Sequence, residues 1–172
     1  MESRIGIEGK WAIDAPLSLT LALARRIDIA DKLAGSRWQL ARHQDGTMTG
    51  KLRRGPVKIS LAEDNATNSG RALCYRLTVE RFGFTFAATV EMNCQAHPEG
   101  GSVVSIKLAF DDSTVLRFVP KAFVDQRLLS LQQAILLTYE QALEALSSDR
   151  TRALEQLGDG ERKLLQDCLE EV

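Results

Sequence analysis

Apolar and polar residues alternate along the first two thirds of the chain, which is the pattern of strands that bury one face. In the first such stretch, Ile7, Trp11 and Ile13 fall on one side, while Glu8 and Lys10 fall on the other. Turn-forming residues separate the later stretches. The seven strand candidates are 5–13, 37–40, 47–53, 57–61, 73–79, 84–92 and 104–110. Strands joined in this way predict an antiparallel sheet.

The turns between these candidates are marked by composition. Asp45-Gly46 is a hairpin dipeptide, and Gly83 interrupts the alternation between two long strand candidates. A polar stretch at 63–70 is rich in Asn, Ser and Gly, and it predicts a loop after a strand that turns Leu61 inward.

The hydrophobic period lengthens to three or four residues near the C-terminus, as in an amphipathic helix. This pattern runs from Pro120 to Leu146 and predicts a helix of about seven turns. An apolar segment at 17–33 predicts one or two short helices after the first strand. The last stretch, 147–172, predicts two further short helices with Asp149 and Asp159 as caps.

The composition is that of an ordinary globular α+β protein. The 172 residues are 44% hydrophobic and 26% charged, with a net charge of −1, so bulk charge selects no class of partner. The first ten residues lack the apolar run of a signal peptide, and no stretch reaches the roughly 18 apolar residues of a membrane span. The three cysteines are far apart and predict reduced thiols. We therefore expect a cytoplasmic location and no transmembrane segment.

The order of elements resembles the helix-grip fold of the START and Bet v 1-like (SRPBCC) superfamily. Residues 11–16, Trp-Ala-Ile-Asp-Ala-Pro, are similar to the strand-then-proline opening of these families. Gly55-Pro56-Val57 is similar to a stretch in the carbon monoxide dehydrogenase branch of the superfamily. The resemblance implies a curled seven-stranded sheet around the long helix. It assigns 1–148 to a helix-grip domain and leaves 149–172 as a short helical C-terminal extension.

A helix-grip fold also implies an apolar cavity between sheet and helix, suited to a hydrophobic small molecule or lipid. The candidate ligand-binding residues are Tyr75, Phe84, Phe86 and Tyr139, because each places an aromatic ring on the predicted inner face. The same residues also suit a solid core, since protein interiors usually fill to close packing. Both interpretations remain open at the level of sequence, and the leading hypothesis is non-enzymatic binding.

Catalytic and metal-binding groups are not indicated by any motif. His43 and His97 fall beside turns, and neither has a carboxylate or thiol at a ligand spacing. Cys74 falls on the opposite face from Leu73 and Tyr75. We therefore predict no catalytic residue, no metal and no cofactor. A cyclase-like or hydrolase-like enzyme would need a buried acid or base beside the pocket.

Local charge suggests a second hypothesis, an interaction or assembly module. Residues 36–62 carry six basic side chains and one acid, Asp45, whereas 147–172 carry four bases and seven acids. The basic sheet face could meet an acidic protein, and the acidic tail could cover that face or engage a partner chain. The lack of interleaved aromatic residues argues against nucleic acid. The basic residues are Arg37, Arg42, Lys51, Arg53, Arg54 and Lys58.

Overall fold

The computed structural model describes most of the chain as strands and helices. The described residues are 6–52, 55–66, 70–81, 83–111 and 118–170, without the side chains of Leu52, Arg81, Phe84 and Glu170. The strands are β1 (Gly6–Ile13), β2 (Ala41–Arg42), β3 (Met48–Leu52), β4 (Gly55–Ala66), β5 (Gly70–Arg81), β6 (Phe84–Ala96) and β7 (Ser102–Phe110). The helices are α1 (Leu17–Arg25), α2 (Ile27–Leu33), α3 (Lys121–Ser148), α4 (Arg150–Glu155) and α5 (Asp159–Glu170).

The strands form one antiparallel sheet in the order β1-β7-β6-β5-β4-β3-β2. Its inner face follows the predicted alternation, because Leu73, Tyr75 and Leu77 are buried while Arg76 is exposed and Cys74 is half-buried. Glycine matters where the backbone approaches another element. A Cβ on Gly50 would collide with the carbonyl of Trp38, so glycine is needed for the segment before β2 to approach β3 this closely.

The second strand candidate, 37–40, is wrong in type although its buried residues are right. Trp38 and Leu40 are 2% and 5% exposed, as the pattern predicts. The backbone is irregular, because Ser36 and Gln39 have φ angles of +58° and +49°, in the left-handed region. The strand itself is only Ala41–Arg42. The short alternating pattern at 37–40 therefore predicted the burial of these residues correctly and their strand conformation incorrectly.

The predicted loop at 63–70 is also corrected. β4 continues to Ala66 and β5 begins at Gly70, since backbone pairing needs no apolar side chains. The register shifts between Leu61 and Glu63, where a bulge changes the facing of the strand. Leu61 itself lies before the shift, opposite buried Tyr75 on the predicted inner face, but it is 40% exposed.

The helix predicted from Pro120 to Leu146 is confirmed as α3, with Pro120 as its N-cap. Its buried stripe repeats every three or four residues and packs against α2, β1 and β7. Gln132 is buried on this stripe, and its side-chain amide donates to the Ile106 carbonyl at 3.0 Å. The buried residues of the stripe are Val124, Leu128, Leu131, Gln132, Ile135, Thr138, Tyr139, Ala142 and Leu146.

The two short C-terminal helices are confirmed, and they pack into the body of the protein. Asp149 caps α4 by accepting from the Arg152 backbone N–H. Leu157 and Leu165 are 4% and 0% exposed and belong to the same buried cluster as the sheet and α3. α5 lies against α1. The division of the chain at 148/149 stays a prediction.

α5 is also tied to α2 by charge. Lys32 Nζ lies 2.7 Å from Glu161 Oε1. Arg162 closes the corner between α4 and α5, since its guanidinium donates to the carbonyls of Leu154 and Leu157 at 3.0 and 3.2 Å. The acidic extension is thus held against the α1–α2 layer.

Candidate functional site

Two small voids lie in the interior between the sheet and α3. The first has a volume of about 20 Å³ and the second about 10 Å³. Tyr139 and Met92 line both, so the voids adjoin at these two side chains. The first is also lined by Ile27, Trp38, Ile59, Tyr75, Leu77, Val90, Ile135 and Thr138. The second is also lined by Ile13, Thr20, Leu23, Ala24, Val104, Leu136 and Leu143.

The size of the voids shows how completely the interior is filled. A volume of about 20 Å³ suffices for a single water molecule, whereas ligand pockets are at least an order of magnitude larger. In this conformation the inner residues therefore act as a nearly filled core. A ligand would fit only if side chains or helices moved apart.

Tyr139 stands at the junction of the voids with a weakly bonded hydroxyl. The residue is 6% exposed, and its hydroxyl donates to the thioether sulfur of Met92 at 3.6 Å. A thioether is a weak acceptor. Burial raises the pKa of Tyr139 well above its ordinary value, so the phenol stays neutral and keeps its proton to donate.

Tyr75 lies at the edge of the first void, but its hydroxyl is used for structure. It donates to the backbone carbonyl of Ala24, in the last turn of α1. Carbonyls at the end of a helix lack intrahelical partners, and the Tyr75 hydroxyl satisfies one of them. The pKa of Tyr75 is raised, chiefly by burial.

Trp38 and Thr138 form a third polar contact beside the first void. The indole Nε1 donates to the Thr138 hydroxyl at 3.1 Å, and that hydroxyl donates to the Ala134 carbonyl at 2.8 Å. Both polar groups therefore have conventional partners. The contact joins the irregular segment before β2 to the middle of α3.

Two buried carboxylates on α2 lie in the segment 17–33, from which the sequence predicted only short helices. Asp31 is fully buried, and it accepts from the backbone N–H groups of Trp38 and Leu40 at 2.9 and 3.1 Å. Asp28 is 2% exposed and accepts two hydrogen bonds from Arg26, which raise the pKa of the guanidinium. The sequence feature that could have revealed the burial of Asp31 is its spacing, since it follows buried Ile27 by four residues and shares its helix face.

The overall architecture has counterparts among solved structures, although no protein-family model and no curated protein matches the sequence. Protein MLL2253 from Mesorhizobium loti matches with a TM-score of 0.54 and 12% identity, over 84% of this chain and 98% of that one. A conserved protein from Geobacillus kaustophilus gives a TM-score of 0.55 at 8% identity, over 83% and 95%. Ara h 8.0201 gives a TM-score of 0.51 at 14% identity, over 81% and 97%.

This chain has the helix-grip fold. Ara h 8 is a Bet v 1 protein, so the predicted resemblance to the START and Bet v 1-like superfamily is confirmed at the level of fold. Identities of 8% to 14% show a common architecture and carry no ligand or activity from one protein to another. The closer likeness to the carbon monoxide dehydrogenase branch stays a prediction.

Within the helix-grip frame, Phe86 of β6 lies away from the voids. Phe86 is half-buried and pairs with Val79 near the end of the β5–β6 hairpin, and it does not line either void. Phe84 pairs with Arg81 through the backbone, and its side chain lies outside the described residues. The voids thus bring Tyr75 and Tyr139 together without Phe86.

Of the remaining reactive side chains, the two histidines lie beside turns, whereas Cys94 is buried in the core. His43 Nε2 contacts the Thr49 hydroxyl at 2.6 Å, and His97 Nδ1 accepts from the Glu99 backbone N–H at 3.1 Å. Burial raises the pKa of Cys94 to about 11. Across the described ranges, no group of three potential metal-binding side chains occurs, and no helix is long and apolar enough to cross a membrane.

Proposed function

We propose that this helix-grip protein binds a hydrophobic small molecule or lipid between the sheet and α3. The observation that carries the proposal is the pair of adjoining voids that meet at Tyr139 and Met92, in the middle of an otherwise filled interior. Their described lining exposes apolar atoms, because the tyrosine, threonine and tryptophan polar groups of the lining residues are hydrogen-bonded to other protein atoms. It contains no carboxyl or imidazole group, and the proposed function is therefore binding.

Opening of the interior is part of the proposal, because the voids are too small for a ligand as they stand. Met92 is suited to move, since its unbranched side chain has three rotatable bonds. Met92 and Tyr139 line both voids, and the contact of Met92 Sδ with the Tyr139 hydroxyl is weak, so breaking it would cost little. Apolar ligand surface removed from water would offset the separation of α3 from the sheet.

Native mass spectrometry of freshly purified protein provides the first test. We expect an apolar adduct that is lost in denaturing solvent, and added fluorene should bind in isothermal titration calorimetry. A homogeneous unliganded mass, together with no response to fluorene, would contradict the proposal.

Two buried valines provide a matched test of the location. Val90 lines the first void and is 3% exposed, whereas Val57 is 2% exposed and lines neither void. Val90→Leu should weaken fluorene binding because it fills the space that the ligand needs. Val57→Leu should leave the affinity unchanged, and equal effects of the two variants would place the ligand elsewhere.

A second candidate function is docking onto an acidic protein surface. The observation that favours it is the group of exposed bases on the β2–β4 side of the sheet, Arg37, Arg42, Lys51 and Lys58. Arg53 and Arg54 lie outside the described residues. Exposed acids of α5, Asp159 and Asp167, would allow a second copy of this chain to be that surface.

Sedimentation equilibrium at low and high salt tests this second candidate. We expect a dimer at low salt that dissociates in high salt and in the charge-reversed variant Lys51→Glu/Lys58→Glu. A monomer at every salt concentration would contradict it. Deletion of 147–172 is a poor substitute, because it removes buried Leu157 and Leu165 from the core.

The cytoplasmic location stays a prediction.

A further inference from the structure

The polar side chains around the two voids differ in how well their hydrogen-bonding capacity is used. The Thr20 hydroxyl lies 2.8 Å from that of Ser102, which donates to a backbone carbonyl at 3.0 Å. The hydroxyls of Tyr75 and Thr138 both donate to backbone carbonyls. Among the described lining residues, Tyr139 alone donates to sulfur instead of oxygen. Its hydroxyl is therefore the lining donor with most to gain from a new partner.

The position of this donor matters as much as its poor partner. Tyr139 and Met92 are the two described residues that line both voids, so withdrawal of Met92 would join the voids and remove the acceptor of the Tyr139 hydroxyl. A buried hydroxyl without an oxygen or nitrogen acceptor is costly in an apolar surrounding. The raised pKa of Tyr139 follows from burial and keeps the phenol protonated at neutral pH. A ligand that supplied an acceptor here would gain a hydrogen bond that the unliganded interior lacks.

We infer that Tyr139 anchors the ligand, and that the ligand carries a neutral carbonyl group, as in a ketone or ester, on an otherwise hydrocarbon body. This inference rests on the proposed function and specifies its ligand class. On binding, Met92 withdraws, the two voids join, and the Tyr139 hydroxyl donates to the carbonyl oxygen. A charged ligand group is disfavoured because the described lining offers no opposite charge.

Fluorene and 9-fluorenone are matched probes, since they share a tricyclic skeleton and differ in one carbonyl. The measured quantity is the ratio of the fluorenone affinity to the fluorene affinity, which removes effects common to both probes. We expect Tyr139→Phe to lower this ratio about two- to tenfold, the range for one neutral hydrogen bond. Tyr75→Phe, the control, should leave the ratio unchanged because the Tyr75 hydroxyl is committed to Ala24.

Two further readouts separate an anchor from a general structural role. The carbonyl stretch of bound fluorenone should lie at lower wavenumber in the wild type than in Tyr139→Phe, because a donated hydrogen bond weakens the C=O bond. Met92→Leu removes the sulfur that now accepts from Tyr139. The affinity ratio should therefore rise in Met92→Leu, which is the opposite sign from Tyr139→Phe.

The outcomes distinguish this inference from the function on which it rests. If fluorene binds and Tyr139→Phe leaves both the ratio and the carbonyl stretch unchanged, the anchor is wrong while hydrophobic binding stands. Equal losses in Tyr139→Phe and Tyr75→Phe would also overturn the anchor. If neither probe binds the wild type or Met92→Leu, the proposed function and the inference fail together.

Discussion

The α1–α2 corner and the interior beside α3 both bury polar groups, and they treat them differently. In the corner, which comprises residues 24–40, the Asp31 carboxylate accepts from two backbone N–H groups and the Ala24 carbonyl accepts from Tyr75. In the interior, Tyr139 donates to a thioether at 3.6 Å. Buried polar groups with full hydrogen bonding fix one backbone path. A weakly bonded donor on a residue that lines a void can instead form a hydrogen bond with a ligand.

The comparison also explains why the two tyrosines proposed from the sequence have separate roles here. Both are buried, and both line the first void. Only the bonding of the hydroxyl groups separates them, and that depends on which backbone carbonyl happens to lie within reach. The following variants test the contrast, in decreasing order of expected effect on the free energy of unfolding.

Asp31→Ala should have the largest effect. It leaves the buried N–H groups of Trp38 and Leu40 without an acceptor, and we expect a loss of about 3–5 kcal/mol in urea denaturation. Asp14→Ala is the control, because it makes the same substitution at an aspartate whose side chain is exposed to solvent. A loss below about 1 kcal/mol for Asp31→Ala would mean that the corner is not held by this carboxylate.

Leu165→Ala tests whether α5 is part of the folded core. Leu165 is 0% exposed, and truncation should cost about 3 kcal/mol. The neighbouring Leu164 is 39% exposed, so Leu164→Ala should cost a small fraction of that amount. Similar small effects of both variants would show that α5 is loosely attached in solution.

Tyr75→Phe and Tyr139→Phe compare the two hydroxyls directly. Removal of the Tyr75 hydroxyl leaves the Ala24 carbonyl without its donor and should cost about 1–2 kcal/mol. Removal of the Tyr139 hydroxyl gives up only a contact with sulfur and should change stability by less than about 0.5 kcal/mol. Thermal and urea unfolding of the pair measure the difference, and the reverse order would break the comparison.

Glu161→Gln should have a small effect on stability that depends on salt. The Lys32–Glu161 pair is partly exposed, with 38% and 17% of the side-chain surfaces accessible, so solvent screens it. We expect a loss of about 0.5 kcal/mol that disappears at high salt. A salt-independent loss would point to packing by Glu161 instead of charge.

Much of the fold could be predicted from the sequence, because strand alternation and the three-to-four-residue period of α3 are properties of the chain itself. The errors arose where tertiary contacts override local pattern. Trp38 and Leu40 alternate like a strand, but Asp31 holds their N–H groups in an irregular path. Leu61 lies opposite buried Tyr75 yet is 40% exposed, because burial also depends on which elements cover that part of the sheet.

The site was only partly predictable. The inward facing of Tyr75 and Tyr139 follows from period and position, but the identity of their hydroxyl partners depends on elements far away along the chain. Tyr139 meets Met92, which is 47 residues distant. Phe86 falls outside the lining because the voids lie farther along β6, beside Val90 and Met92. Such contacts follow from three-dimensional packing and leave no local pattern.

Methyl-selective NMR with ¹³C-labelled methionine tests the central claim most directly, because Met48 and Met92 are both buried and only Met92 of the two lines the voids. On addition of fluorenone, we predict a shifted Met92 methyl signal with intermolecular NOEs to the ring protons, and an unperturbed Met48 signal. An unchanged Met92 signal under conditions where fluorenone binds would contradict the account, because the ligand would then lie outside the space between the sheet and α3.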